Sequence, residues 1–213
     1  SGYSTGITAT STNGNVDVYN FGAMMISSET GDATGIEAIS DYADVYVANA
    51  GDLTISSEYG NVVGIRAYVY GYNDVTVVNS GAITATGYDG TVGIYAYSYN
   101  GDINITNGTK AITATDTYDY GYAIGILADS NSGDIVIASN GAITTNGYVS
   151  LGIVAGTGSY NYGEYNNIGD ISISTGTSSN INANGYYAAI GILAQAAGNV
   201  SVTNAGSILA NSS

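Results

Sequence analysis

Residues Gly101 to Gly133 read GDINITNGTKAITATDTYDYGYAIGILADSNSG, and Gly133 to Gly156 follow with GDIVIASNGAITTNGYVSLGIVAG. The second stretch restates the first: Gly-Asp-Ile-x-Ile, then Ala-Ile-Thr, then Gly-Ile. Outward from this pair, the motif [Asp/Asn]-[Val/Ile]-x-[Val/Ile] begins at Asn15, Asp44, Asp74, Asp102, Asp134, Asp170 and Asn199, with spacings of 29, 30, 28, 32, 36 and 29. A Gly-Ile motif begins at Gly6, Gly35, Gly64, Gly93, Gly125, Gly152 and Gly191. Between them recurs a third segment, centred on Met24/Ile26, Leu53/Ile55, Ile83/Ala85, Ile112/Ala114, Ile143/Thr145, Ile181/Ala183 and Ile208/Ala210.

Each segment alternates with period two, so its apolar residues share one face of a strand. A three-strand coil that buries one face per strand gains a core only when coils stack. The reading is all-β: a parallel β-helix of about seven coils of three short strands, one domain over residues 1–213 with uncapped ends. Right-handed coiling is the usual chirality of parallel crossovers. Three inward columns follow: Val16, Val45, Val75, Ile103, Ile135, Ile171 and Val200; the row two residues on, from Val18 to Val202; and Ile7, Ile36, Ile65, Ile94, Ile126, Ile153 and Ile192. With coils about 4.8 Å apart, the rod is on the order of 30–35 Å long. The two long intervals come from polar insertions, TDTYDYGYAI (Thr115 to Ile124) and GTGSYNYGEYNNIG (Gly156 to Gly169), placed at corners.

Composition narrows the function. The net charge is −15, with one Lys (Lys110) and one Arg (Arg66), which argues against nucleic acid and against attachment to anionic lipid. Cys and His are absent, removing disulfides, thiol chemistry and the usual zinc sites. No run of about 18 apolar residues exists to insert in a bilayer as a helix. Enzymes on β-helices cluster carboxylates with cations on one face; Arg66 falls between Glu37 and Tyr95, which reads as an ion pair with a cation–π contact, and no catalytic constellation emerges.

Three sets of residues stand out. Asn20, Asn49, Asn79, Asn107 and Asn204 each lie five residues after the first-strand Asp or Asn and suit a structural hydrogen-bonded ladder. Asp44, Asp74, Asp102, Asp134 and Asp170 stack at one corner, where either turn N–H groups are capped or Ca²⁺ bridges the carboxylates. Tyr68, Tyr70, Tyr95, Tyr97 and Tyr99 point outward beside Arg66. A second set, Tyr59, Tyr88, Tyr118, Tyr120, Tyr122, Tyr148, Tyr186 and Tyr187, falls at the corner between second and third strands. Tyrosine combines an apolar face with a polar tip, which suits a glycan or protein partner, and it also suits exposed strands in general. Outward Thr54/Ser56, Thr84/Thr86 and Thr113/Thr115 resemble ice-binding ranks, broken by Met25, Asn146 and Leu209.

The stretches DVTVVNSGAITATG, DIVIASNGAITTNG and GIYAYSYNGDINITN resemble repeats of bacterial surface adhesins, the passenger domains of AIDA-type autotransporters. The likeness spans Gly6 to Ala210. It implies a secreted β-helix displayed on an outer membrane for attachment or self-association; neither a signal peptide nor a translocator barrel is in the sequence. No binding residue carries over, because the match lies in core and corner positions. The ends are in phase: Ser213 joined to a second Ser1 would put 11 residues between Ile208 and the next Gly-Ile, against 10 from Ile83 to Gly93. The expected function is an extracellular structural or adhesive solenoid at a cell surface, with a head-to-tail filament subunit second and ice binding third. Its partners are itself, a glycan or a protein, and no catalysis is expected.

Overall fold

A computed structural model describes residues 2–157 and 169–212, which form strands and no helix. Residues 158–168 of the second insertion lie outside the described residues. The chain opens with β1 (Ser4–Ser11). Coil 1 holds β2 (Val16–Asn20), β3 (Met24–Ser28) and β4 (Ala33–Ser40), and coil 2 holds β5 (Val45–Asn49), β6 (Leu53–Ser57) and β7 (Val62–Val69). Coil 3 comprises β8 (Val75–Asn79), β9 (Ile83–Gly87) and β10 (Thr91–Ser98), and coil 4 comprises β11 (Ile103–Asn107), β12 (Ile112–Asp116) and β13 (Tyr122–Ser130). Coils 5 to 7 are β14 (Ile135–Ser139) with β15 (Ile143–Thr157), β16 (Ile171–Thr175) with β17 (Ile181–Gln195), and β18 (Val200–Asn204) with β19 (Ile208–Ser212).

Equivalent strands of successive coils pair in parallel, so the molecule is a β-solenoid of about seven turns. The first strands make a seven-stranded sheet in the order β18-β16-β14-β11-β8-β5-β2. The second and third strands belong to one 12-stranded sheet, because β15 and β17 run through the corner without a break. The expectation of three short strands per coil is thus corrected in coils 5 and 6, where a single strand of 15 residues replaces two. The cause is local chemistry. Earlier coils turn here on Ser-, Asp- and Gly-rich segments such as SSEYGN and TGYDG, whereas GYVSLG and GYYAAIG lack the Asp or Asn of a tight turn. A one-residue bulge takes up the bend: Gly147 and Val149 of β15 face Gly185 and Ala188 of β17.

The inward columns are in register. Val75 pairs with Ile103, Ile103 with Ile135, Ile36 with Ile65 and Ile65 with Ile94. Ile36, Ile65, Ile94 and Ile126 are fully buried, each worth about 1.5–3 kcal/mol over an exposed side chain. The columns lose cover in coil 7, where Val200, Val202 and Ile208 are 43–46% exposed. The Gly-Ile motif has a steric reason. A Cβ on Gly6 would lie 2.7 Å from the Gly35 carbonyl oxygen, and one on Gly35, Gly64, Gly93, Gly125 or Gly152 would meet the equivalent oxygen of the next coil. Only hydrogen fits between third strands and the second-strand isoleucines at this spacing.

Candidate functional site

The corners show what the polar repeats do. At the first corner, Asn20 donates through Nδ2 to Asn49 Oδ1 (2.7 Å), Asn49 to Asn79 (2.8 Å) and Asn79 to Asn107 (2.9 Å). The row continues from Asn107 to Ser139 Oγ at 3.1 Å, and in the next coil Thr175 donates to Asn204. Each Asp of the Asp column instead accepts the backbone N–H of its successor: Asp44 from Asp74 (3.1 Å), Asp74 from Asp102 (2.9 Å), Asp102 from Asp134 (2.8 Å), Asp134 from Asp170 (2.8 Å) and Asp170 from Asn199 (2.7 Å). One oxygen of every carboxylate is therefore committed to the coil above, and like charges on coils about 4.8 Å apart are tolerated because each faces an N–H dipole. The Asn199 N–H and then its side chain hold the Asp170 carboxyl below its ordinary range. Among the described residues no group of three or more acidic side chains is arranged to hold a metal ion. Asp32 and Asp52 do the same at other corners, accepting from Asn61 and Ala82 at 2.9 Å.

The sequence reading missed a serine row. Ser57 Oγ accepts the Gly60 N–H (2.9 Å) and donates to the Gly31 carbonyl (2.7 Å); Ser98 and Ser130 repeat this at the third corner, accepting from Gly101 and Gly133. The signal was a Ser at the end of the strand three residues before Gly.

The third-strand face carries the aromatic cluster. Arg66 pairs with Glu37 at 3.2 Å and lies between Glu37 and Tyr95 in register. Its guanidinium sits over Tyr68 at 5.7 Å, so the cation–π partner is Tyr68 on its own strand rather than Tyr95. Tyr68 stacks on Tyr97 (4.3 Å between centroids, 18° between planes) and contacts Tyr70 at 4.6 Å and Tyr95 edge-on at 6.3 Å. Tyr99 stands apart, edge-on to Tyr72 at 6.3 Å. Burial, then the neighbouring phenols Tyr97, Tyr95 and Tyr70, push Tyr68 up to about 12, with Arg66 opposing. Tyr95 and Tyr97 are raised by burial and by Asp129. Tyr68, Tyr95 and Tyr97 thus keep their phenolic protons, and with them their hydroxyl donors, at physiological pH.

No family model, curated protein or solved structure matches the chain.

The second tyrosine set forms a run of rings along its corner: Tyr59–Tyr88 (5.8 Å), Tyr88–Tyr118 (4.7 Å), Tyr118–Tyr120 (5.8 Å), Tyr120–Tyr148 (5.3 Å), then Tyr148 against Tyr187 (5.4 Å, 7°). Tyr122 does not join it; its ring lies over Gly90, in a groove of about 290 Å³ shared with Arg66 and Tyr95. The outward Thr rank aligns Thr54, Thr84, Thr113 and Thr144, but its neighbour passes from Thr115 to Asn146, whose side chain is bonded in turn by Asn184.

Beside the tyrosine run lies Asp116, which the sequence reading had absorbed into an insertion. It ends β12 in an inward position and is 6% exposed. Oδ1 accepts the Tyr118 N–H at 3.0 Å, while the buried Oδ2 has no partner. Burial raises its carboxyl to about 6 from 3.8, with Asp89 adding to the rise and the Tyr118 N–H opposing it. The folded chain holds this proton more tightly than the unfolded chain does, so ionisation opposes folding. The contribution of Asp116 is most favourable below about 4, falls as pH rises to about 6, and stays lower above, with a total on the order of 2–3 kcal/mol. Asp116→Ser, which adopts the residue of coil 2, is expected to unfold at higher urea than wild type at pH 7.5, by about 1–2 kcal/mol, and to match it at pH 4. An unchanged difference between the two pH values would refute the assignment.

Proposed function

We propose that the chain is a structural and adhesive segment of an extracellular surface protein, of the kind seen in AIDA-type autotransporter passengers, attaching through its tyrosine-rich third-strand face. The observation that carries this reading is the Tyr68–Tyr97 stack with Tyr70 and Tyr95. Four rings on adjacent coils make a continuous, uncharged and donor-bearing surface on a rigid scaffold. Large amphipathic rings of fixed orientation lose little entropy on contact, which favours protein or glycan surfaces. The acidic remainder keeps the rod soluble and repels anionic surfaces.

The test is attachment of cells or beads displaying the segment. Replacing Tyr68, Tyr70, Tyr95 and Tyr97 with Ser is expected to reduce attachment or clumping by about tenfold, with the circular dichroism of the folded rod retained. Undiminished attachment by a folded quadruple variant would sink the reading.

Head-to-tail association is a second reading, supported by the apolar Val200, Val202 and Ile208 of the last coil together with the unpaired edges of β18 and β19. Fibres of the purified segment in negative stain would favour it, and monomers at all concentrations would remove it.

A further inference from the structure

We propose that the corner groove between Asp116 and Tyr186 binds an uncharged pyranose sugar. This site lies on a different face from the Tyr68 cluster and stands independently of the reading above. The groove has a volume of about 540 Å³ and is walled by Tyr118, Tyr120, Tyr148 and Tyr186, with Asp116 and Asp119 beside them. Tyr148 lies between Tyr120 (5.3 Å) and Tyr186 (5.8 Å), and the two flanking rings are 72% and 68% exposed. Rings of this kind offer flat apolar faces with hydroxyl tips, suited to a partner with one C–H face and several polar edges.

Asp116 supplies the second observation. A buried carboxylate oxygen without a donor is costly, and the fold does not require it. Asp116 is aligned with Gly87, which follows the residue paired with Ser56, so Ser57 or glycine fills this position in other coils. Space around the carboxyl is kept by two glycines: a Cβ on Gly121 would overlap Asp116 Oδ1, and one on Gly147 would lie 3.2 Å from Asp116 Cβ. Asp116 lines the groove, so a ligand donor that presses in beside it satisfies the orphan oxygen.

Charge selects among ligands. Asp116 and Asp119 line the groove, Asp89 acts on Asp116 from nearby, and neither Lys110 nor Arg66 lines it. Sugars bearing carboxylate, sulfate or phosphate are therefore repelled. A quaternary ammonium would suit the rings, but its cationic head has no N–H to give Asp116, and choline adds a single hydroxyl where a pyranose carries several. A neutral pyranose has both the C–H face and the hydroxyl donors.

The chain has no Trp, so its fluorescence comes from its 21 tyrosines, among them the four that wall the groove. Methyl glucoside, methyl galactoside and methyl mannoside are titrated into the whole 213-residue chain, with sialic acid and choline as competing probes. At least one neutral glycoside is expected to give a saturable change in the millimolar range, with sialic acid and choline silent. Asp116→Ser, expected to fold at least as well as wild type, and Tyr148→Ala should each weaken binding about tenfold or more. The Tyr68, Tyr70, Tyr95 and Tyr97 quadruple variant should bind as wild type does, which separates this site from the attachment face. Failure of all three glycosides, preference for choline or sialic acid, or full affinity in Asp116→Ser would each overturn the proposal.

Discussion

Gly93→Ala is expected to destabilise the solenoid by about 3 kcal/mol or more, although it adds a single methyl group. Its Cβ would lie 2.5 Å from the Gly125 carbonyl oxygen and would overlap Ile112 Cγ2. Overpacking usually costs about 1–3 kcal/mol because side chains adjust, but here one obstacle is backbone held in the β10–β13 ladder. Relief requires coil 3 to move away from coil 4, and in a stacked array stability is carried by such nearest-neighbour interfaces. Hydrogen exchange should consequently accelerate in β10 and β13 ahead of β2 and β5, and unfolding should separate into two blocks. Gly156→Ala is the control: the nearest atom to its Cβ is Asp129 Oδ1 at 3.7 Å, an ordinary contact. Gly93→Ala unfolding in urea within about 0.5 kcal/mol of wild type would mean that the coils are not closely packed through this glycine row.

Much of this architecture could be read from the chain because every coil repeats the same constraint. Val75, Ile103 and Ile135 each sit one residue after Asp, so their column needs only the repeat length. The reasons for the polar residues were harder to reach. Spacing placed Asp44 beneath Asp74 and left N–H capping beside Ca²⁺ bridging, but could not say that the N–H belongs to the next coil, since that depends on backbone direction at the corner. Ser57, Ser98 and Ser130 carried no recognisable pattern, because their role depends on carbonyl groups of the preceding coil. Asp116 was hidden by the length variation of its corner, which obscured its alignment with Gly87. Ring orientation was also beyond reach: Arg66 reaches Tyr68 along its strand because rotamers, rather than register, decide which ring lies under the guanidinium.

Asn79→Asp tests the amide ladder most severely, replacing one atom of a side chain that is 1% exposed. Asn79 donates to the Gly81 carbonyl at 2.8 Å and to Asn107 Oδ1 at 2.9 Å, and accepts from Asn49 at 2.8 Å. An aspartate keeps the acceptor and loses both donors, so its charge faces two oxygens in a site that water does not reach. An uncompensated buried charge costs about 3–5 kcal/mol, and that loss is expected at pH 8. Protonation restores one donor, so the folded state raises the new carboxyl above its unfolded value and the deficit shrinks as pH falls toward 4. Asn79→Ser should behave differently. Coils 5 and 6 carry Ser139 and Thr175 in this row, and a hydroxyl can both donate and accept, so a loss of about 1–2 kcal/mol independent of pH is expected. Urea unfolding of the two variants at pH 4.5 and pH 8 distinguishes the cases. Equal stabilities at both pH values would show that the row is hydrated and that its amides are interchangeable with any small polar side chain. A gap that opens with pH would show that donor direction along the ladder, passed from Asn20 to Ser139, is a condition of stacking these coils.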